Sequence, residues 1–234
     1  VRGVWSERVL KAARIDPILM PEILASTAIL GGITAEASAH TGLKVGTPVV
    51  VGGGDGPLAA VGTGIISQQD GAYVCMGSSS WISVSKTNPI HDPKMRSMTF
   101  NHVVPGQFVP TATMQAGGAS LQWITETLIP ENNPDRYKIL LEEAEFGSAA
   151  ADGLYFLPHI MGERSPYWNP DASGAFIGLG KHHSRAHMVR AVLEGVAFNL
   201  LSCINAFSEN GTEVKSVDVI GGGASSALWL QIFA

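Results

Sequence analysis

The feature that most constrains the fold is an apolar run ending in three glycines and an acid. Residues 47–56 read TPVVVGGGDG, and the valines predict a buried strand whose carboxyl end delivers Asp55. Ligands of open α/β sheets bind beyond the carboxyl ends of strands, and glycine lets them approach because it has no Cβ. Asp55 is therefore placed to take a proton from a substrate hydroxyl. The alternative is an ordinary turn in which Asp55 caps the following helix.

The composition describes a globular protein and excludes two kinds of partner. The chain has 234 residues, of which 45% are hydrophobic and 15% charged, with 27 glycines. This length allows one or two domains. A net charge of −5 argues against nucleic acid, which would select a basic face. No apolar stretch looks long enough to span a bilayer and no charged-then-apolar leader opens the chain, so we expect no membrane association.

The cysteines, histidines and chain ends add three expectations. Cys75 falls in a predicted buried strand and Cys203 in a predicted helix, and reduced core thiols fit a cytoplasmic protein. No Cys or His spacing matches a metal site, so we expect no metal ligands in this chain. The chain begins at Val1 and stops inside a predicted helix, so we expect an internal piece of a longer protein.

Alternating strands and helices with short connections predict an α/β fold. Strands are predicted at 49–51, 72–76, 81–85 and 217–220, with a second hairpin over 99–109. Helices are predicted at 34–40, 57–66, 119–128 and 135–145, and a long helix from the N-cap Ser184 to about Gly211. The long helix is the best supported, because its apolar residues recur at helical spacing.

Three glycine-rich turns adjoin the predicted strand and helix ends. Residues 77–80 (GSSS) offer backbone N–H groups and hydroxyls that can surround phosphate oxygens. The Gly117-Gly118 turn opens a helix, whose N-terminus suits an anion or a ribose. Residues 221–223 (GGG) follow a strand and leave a flat slot for a purine. Each is also compatible with an ordinary turn, but together they predict one nucleotide held from several sides. The chain lacks the third glycine of a dinucleotide fingerprint and any Gly-Lys-Ser/Thr of a Walker A loop.

The sequence resembles the FGGY family of carbohydrate kinases. Residues 174–179 (GAFIGL), His187-Met188 and 191–194 (AVLE) match every constrained position of that family's second signature. Residues 157–166 resemble the loop that precedes it. The resemblance covers essentially the whole chain. It implies two ribonuclease H-like domains of the actin and Hsp70 type, truncated at both ends, with the active site in the cleft between them.

The resemblance also implies the domains and the site residues. Residues 1–60 correspond to the end of the N-terminal, sugar-binding domain, and residues 61–234 to an incomplete C-terminal, nucleotide-binding domain. Asp55 is the implied catalytic base, and Asp55 and Gly56 are the implied substrate contacts. The implied ATP-binding residues are Gly77, Ser78, Ser79, Gly117, Gly118, Gln122, Gly222, Gly223, Ala224 and Ser225. The first phosphate loop, an acid that helps hold magnesium and most sugar contacts would lie upstream.

The implied reaction is transfer of the γ-phosphate of ATP, with Mg²⁺, to a primary hydroxyl of a small sugar. The partners are the sugar and ATP, and the resemblance allows a homodimer. Residues 100–106 (FNHVVPG) are similar to the xylulokinase branch, which favours D-xylulose. Gly56 instead resembles some gluconate kinases, since xylulokinases usually have Asn there, so gluconate or another sugar or polyol is the alternative. A non-catalytic, actin-like nucleotide-binding module is the alternative from another class, and it would have no need of Asp55.

Overall fold

The computed structural model describes residues 3–147, 150 and 152–234, and the elements below belong to that part of the chain. The helices are α1 (Glu7–Ala13), α2 (Ala35–Thr41), α3 (Asp55–Gly62), α4 (Gly118–Leu128), α5 (Arg136–Ala144), α6 (Arg185–Glu209) and α7 (Ala227–Phe233). The strands are β1 (Ile29–Gly32), β2 (Pro48–Val50), β3 (Ala72–Met76), β4 (Ser80–Val84), β5 (Met98–Asn101), β6 (Phe108–Met114), β7 (Tyr155–Leu157), β8 (Ala175–Ile177) and β9 (Val217–Ile220). Short 3₁₀ helices cover Pro17–Leu19 and Gly222–Ser225.

A five-stranded mixed sheet forms the centre of the chain. Its strand order is β5-β6-β4-β3-β9, with β3 and β9 parallel and the other neighbours antiparallel. Met76 pairs with Ser80, so β3 and β4 are joined through residues 77–79 alone. Both predicted hairpins and the last predicted strand are confirmed.

The two faces of this sheet pack against different elements, as the period-two alternation of strand side chains requires. Ala72, Val74 and Met76 of β3 belong to the main hydrophobic core, which α4 and α6 complete. Tyr73 points to the other face, where it packs in a small second cluster with Ala60 of α3. The face that carries α3 is also the face on which the cavity described below opens.

Helix α6 is the central helix of the main core. Ser184 and His187 form a reciprocal capping box at its start, which satisfies two otherwise unpaired N–H groups. We expected no segment long enough to span a membrane, and this expectation is wrong. Among the described helices, α6 is both long enough and apolar enough to cross one. Its most apolar window is 61% buried within the protein, and Val192, Val196 and Leu200 lie in the core. The sequence could not separate a core helix from a spanning one by hydropathy alone.

The first part of the chain differs from the prediction at its strand. The predicted buried strand over 49–51 is β2, which is exposed along its length. It pairs with β1 in a two-stranded sheet, and Val50 is 52% exposed. Within the described residues β2 pairs with β1 alone, and none of its residues belongs to either hydrophobic core cluster. Helix α2 is as predicted, with Thr34 and Gly42 as its caps.

Candidate active site

Asp55 is the first residue of α3, two residues before the predicted start of that helix. Gly54 occupies the N-cap position in an extended conformation, so the interpretation of Asp55 as the cap is wrong. Pro57 does not delay the helix, because N–H groups in the first turn have no intrahelical partner to lose. The Oδ1 atom of Asp55 accepts a 2.8 Å hydrogen bond from the N–H of Gly56. The Asp55 side chain is otherwise exposed and available to a ligand.

Contacts from the sheet fix the start of α3. The Tyr73 hydroxyl donates to the carbonyl of Gly56 at 2.7 Å, and the indole N–H of Trp81 donates to the same hydroxyl oxygen at 3.0 Å. Burial is the main cause that raises the pKa of Tyr73 above its usual value, so the hydroxyl stays protonated as a donor. A Cβ on Gly53 would collide with Val103 of the β5–β6 connection. The backbone around Asp55 is thus held on both sides.

His102, in the segment that resembles the xylulokinase branch, has a structural role. Its Nδ1 accepts a 2.9 Å hydrogen bond from the N–H of Val104. The proton therefore lies on Nε2, which is 3.0 Å from the carbonyl oxygen of Ile65 and donates to it. The His102 side chain is 7% exposed. Its two hydrogen bonds join the β5–β6 connection to the segment that follows α3. Both ring nitrogens are engaged by backbone, so this histidine is not a sugar contact in this geometry.

A cavity of about 500 Å³ opens between the start of α3 and the sheet. Its lining residues come from α3, from the β3–β4 turn, from the β5–β6 hairpin and from the loop after β7. They are Gly54, Asp55, Gly56, Pro57, Ser79, Trp81, Met98, Phe100, Asn101, Thr111, Thr113 and Arg164. The cavity therefore brings the predicted base and one residue of the predicted phosphate loop to the same space.

Arg164 is the functional candidate that the sequence analysis missed. It is half-buried and, with Asp55, is one of the two charged residues in the cavity lining. It lies in residues 157–166, which carried part of the family resemblance but were given no role. Sequence spacing could not assign it to Asp55, because 108 intervening residues separate the two positions.

The first two glycine-rich turns are in direct contact. The N–H of Gly118 donates to the carbonyl of Gly77 at 2.8 Å, and the N–H of Ala119 donates to the carbonyl of Ser78 at 3.0 Å. A Cβ on Gly118 would stand 2.6 Å from the Gly77 carbonyl oxygen, closer than real Cβ atoms approach, so this packing requires glycine. These two N–H groups are engaged within the protein, so they are not the open helix N-terminus that the sequence suggested.

The third glycine-rich turn reaches the same end of β3. A Cβ on Gly221 would stand 2.7 Å from the carbonyl oxygen of Met76, and one on Gly223 would stand 2.8 Å from the Met76 side chain. Gly221 also has a φ of 90°, which favours glycine. The three turns therefore converge on Met76 and Gly77, as one shared nucleotide site would require.

Among the remaining nucleotide-site candidates, Gln122, Gly222 and Ser225 are exposed, whereas Gly117 is buried. Gln122 lies on α4 and donates to Glu126 at 2.8 Å. The hydroxyl of Ser225 donates to the carbonyl of Gly222 at 2.7 Å within the 3₁₀ helix. Gly117 packs so closely on Ser80 that a Cβ would overlap its side chain. The binding roles of all these residues stay predictions.

A second cavity of about 850 Å³ lies among α6, β9 and α7. Its lining includes the exposed apolar residues Phe198 and Leu201. Arg190 and Glu194, which also line it, already form a 2.6 Å ion pair with each other. None of the predicted site residues lines this second cavity, whereas Asp55 and Ser79 line the first.

The chain is an α/β protein of the ribonuclease H-like class. Two features define this class here: the five-stranded sheet, in which β3 and β9 form the one parallel pair, and the turns that converge on β3. The comparisons with known proteins give the family. The model of the FGGY carbohydrate kinase C-terminal domain matches residues 72–234, and that of the N-terminal domain matches residues 1–62. The chain belongs to the FGGY family of carbohydrate kinases.

Individual relatives include kinases of two different sugars. Xylulose kinase of Bacillus subtilis is 33% identical over 234 residues, and gluconokinase of Bacillus licheniformis is 35% identical over 242. They align with 100% and 98% of this chain, respectively. This chain spans 46% of the length of each.

Solved structures confirm the fold expected from the sequence. The xylulose kinase of Rhodospirillum rubrum is 32% identical with a TM-score of 0.83, and the match covers 98% of this chain and 46% of that one. The gluconate kinase of Lactobacillus acidophilus is 26% identical with a TM-score of 0.85, over 99% of this chain and 46% of that one. The exact domain partition at residue 60 stays a prediction.

Proposed function

We propose that the full-length protein is an ATP-dependent sugar kinase that transfers the γ-phosphate of MgATP to a primary sugar hydroxyl. The observation that carries this proposal is the shared cavity, in which Asp55 and Ser79 both line about 500 Å³. A base and a phosphate-loop residue must face the same space if a hydroxyl is to be activated and phosphorylated there. A non-catalytic nucleotide-binding module would not need a carboxylate in this cavity.

Asp55 is the general base in this proposal. It takes the proton of the sugar hydroxyl while that oxygen attacks the γ-phosphorus in line and ADP leaves. The hydrogen bond from the N–H of Gly56 to Oδ1 orients the carboxylate and leaves its second oxygen for the substrate. Catalysis of this kind depends mostly on positioning and electrostatics, which suits the fixed backbone around Asp55.

The nucleotide occupies the convergent turns. The phosphates lie against Gly77, Ser78 and Ser79, and the adenosine part lies between the turn at Gly117-Gly118 with Gln122 and the turn at Gly222, Gly223, Ala224 and Ser225. Magnesium enters as part of the MgATP substrate. Within residues 3–147, 150 and 152–234, no group of three or more His, Cys, Asp or Glu side chains could hold a metal ion.

D-Xylulose is the leading sugar, and gluconate or a related sugar or polyol is the second. The relatives named above include both xylulose and gluconate kinases at 33% and 35% identity, so identity does not separate them. Gly56 favours the second group, because the position offers the substrate no side chain. A site built to hydrogen-bond a hydroxyl discriminates strongly against substrates that cannot pair with it, so this missing contact matters.

The deciding experiment compares kcat/KM for D-xylulose, D-ribulose, glycerol and gluconate on the full-length protein. We expect D-xylulose to have the highest value. If gluconate or glycerol exceeds D-xylulose by about tenfold or more, a free-energy difference of about 1.4 kcal/mol, the xylulose assignment fails and only the general kinase proposal remains. ATP hydrolysis without transfer to any of these sugars would overturn the kinase proposal itself.

The cellular setting belongs to the same proposal. Cys75 and Cys203 both carry free thiols, as expected for a protein of the reducing cytoplasm. Burial is the main cause that raises the pKa of Cys203 to about 12, so that thiol is unreactive. Size-exclusion chromatography with light scattering would test whether the full-length protein is the homodimer that the family resemblance allows.

A further inference from the structure

Arg164 lines the same cavity as Asp55 and Ser79. Within the described ranges, its guanidinium has no salt bridge and no hydrogen bond to another side chain or to backbone. By contrast, Arg96, in the loop before β5, and Arg190 of α6 form ion pairs of 2.6–2.7 Å with carboxylates. A half-buried cation that faces a cavity in this way has its charge available for an anionic ligand.

The residue before Arg164 fixes its main chain to the end of β6. Glu163 is 2% exposed. Its Oε1 accepts from the backbone N–H of Gln115 at 2.9 Å and from that of Arg164 itself at 2.8 Å. Its Oε2 accepts from the side chains of Asn199 and His159, each at 3.1 Å. Four hydrogen bonds thus satisfy this buried carboxylate, and one of them holds the backbone of Arg164 directly.

The residue after Arg164 is fixed to the same strand. The N–H of Ser165 donates to the carbonyl of Thr113 at 2.9 Å, and the Ser165 hydroxyl oxygen accepts from the N–H of Thr113 at 3.1 Å. Thr113 itself lines the cavity. Both neighbours of Arg164 are therefore buried and bound to β6, while Arg164 alone turns to the cavity. Such support is typical of a side chain whose position matters for a ligand.

We propose that Arg164 binds the transferring phosphoryl group and that Glu163 positions it. This inference rests on the kinase activity proposed above. In the reaction, the sugar oxygen forms a bond to the γ-phosphorus and its proton passes to Asp55. The bond from that phosphorus to the β–γ bridging oxygen breaks, and its electron pair leaves with ADP. The guanidinium pairs with the equatorial oxygens of the phosphoryl group, on which negative charge is spread during transfer.

The first test measures kcat and KM for Arg164→Gln and Arg164→Lys in the full-length protein. We expect Arg164→Gln to lower kcat by about 10²–10³-fold, the usual loss when one charge-stabilising donor is removed, with KM for sugar and ATP changed by less than about fivefold. Arg164→Lys should recover at least about tenfold of that loss because it restores a positive charge. The control is Arg185→Gln, since Arg185 pairs with Glu143 at the surface, and its kcat should be unchanged.

Two kinetic outcomes would overturn the proposal. One is a kcat within about threefold of wild type for Arg164→Gln. The other is a rise in KM confined to a sugar acid such as gluconate, which would make Arg164 a partner of the substrate carboxylate instead. If the wild-type protein phosphorylates none of the sugars tested, the kinase proposal fails first, and that result is visible before any variant is made.

A binding measurement separates the phosphoryl contact from a folding defect. Calorimetry would compare ADP alone with ADP, Mg²⁺, aluminium fluoride and sugar, because aluminium fluoride imitates the transferring phosphoryl group. Arg164→Gln should bind ADP with the affinity of wild type. The gain in affinity on adding aluminium fluoride should be smaller in the variant than in wild type by about tenfold or more. Equal enhancement in the variant and in wild type would overturn the proposal.

The positioning role of Glu163 has its own readout. If Glu163 acts through Arg164, then Glu163→Gln should lower kcat in a protein that has Arg164 and have little further effect in Arg164→Gln. Fully additive losses in the double variant would show that Glu163 acts independently of Arg164, and would overturn this part of the proposal.

Discussion

The Tyr73 hydroxyl donates a 2.7 Å hydrogen bond to the carbonyl of Gly56, which joins strand β3 to the helix that begins with Asp55. The same strand leads directly into Gly77 of the proposed phosphate loop. The bond therefore links the proposed base to the proposed phosphate site through one strand and one helix turn. Trp81, one strand away, supports it by donating to the Tyr73 hydroxyl at 3.0 Å.

We predict that Tyr73→Phe lowers kcat by about tenfold with little change in KM for ATP. The substitution leaves the carbonyl of Gly56 and the indole N–H of Trp81 without this partner, so the start of α3 is less firmly placed. An unmade buried hydrogen bond of this kind costs about 1–3 kcal/mol, and the free energy of unfolding should fall by a similar amount. Steady-state kinetics and urea unfolding measure the two effects.

The control for this prediction is Tyr155→Phe, because Tyr155 is 46% exposed and lies outside the cavity lining. It should leave both kcat and stability unchanged. A Tyr73→Phe protein with lowered stability but normal kcat would show that the hydrogen bond serves folding alone.

We predict that Asp55→Asn lowers turnover by about 10²–10⁴-fold, the usual effect of losing one acid–base group, while affinity for ATP changes little. The amide cannot take the hydroxyl proton, although it fills the same volume. A coupled assay of ADP release and calorimetry with ATP measure the two quantities. Asp70→Asn is the matched control, since Asp70 accepts backbone N–H bonds from Ile66 and Ser67 outside the cavity. Near-normal turnover of Asp55→Asn would refute the assignment of the base.

We predict that Gly118→Ala weakens ADP binding by about tenfold or more and lowers turnover with it. The added Cβ would stand 2.6 Å from the carbonyl oxygen of Gly77, so the proposed phosphate loop and the start of α4 must separate. Gly62→Ala is the control, because a Cβ there meets nothing within 4 Å. Unchanged ADP affinity in Gly118→Ala would mean that this contact does not shape a nucleotide site.

The sequence predicted those parts of the molecule that local patterns determine. Helix α6 followed from its apolar spacing and the cap Ser184, and the β3–β4 hairpin followed from two apolar runs around residues 77–79. The sequence predicted that the glycine-rich turns together hold one nucleotide, but it did not predict that they meet at Met76. This convergence depends on pairing between β3 and β9, which are more than 140 residues apart in the chain.

The sequence missed what depends on long-range contacts. Arg164 reaches the cavity from a backbone whose two neighbouring residues, Glu163 and Ser165, bind the end of β6. The exposure of β2 and the early start of α3 likewise depend on what each packs against, which no spacing rule specifies. The role of His102 is another such case, since its partner Ile65 is 37 residues away.

Asp92 and Arg96 form a compact ion pair that should make stability depend on pH. The Asp92 side chain is 1% exposed and accepts from the guanidinium of Arg96 at 2.7 and 3.1 Å, as well as from the backbone N–H groups of Lys94 and Arg96. The hydrogen bonds from Arg96 are the main cause that holds the pKa of Asp92 well below its usual range. Arg96 also donates to Glu209 at 2.6 Å, so the pair ties this loop to the end of α6.

We predict that Asp92→Asn lowers the free energy of unfolding at pH 7 by about 1.5–3 kcal/mol, the usual contribution of hydrogen bonds to a charged group. Because the folded pKa of Asp92 is depressed, its stabilisation is complete above the unfolded value of about 3.9 and is lost as pH falls through the folded value. Urea unfolding at pH 7, 5 and 3 should therefore show a wild-type advantage that is constant from pH 7 to 5 and smaller at pH 3. Glu213→Gln is the control, because Glu213 and its partner Lys215 are both 78% exposed. An advantage of wild type that persists undiminished at pH 3 and below would show that the Asp92 carboxylate charge is not its source.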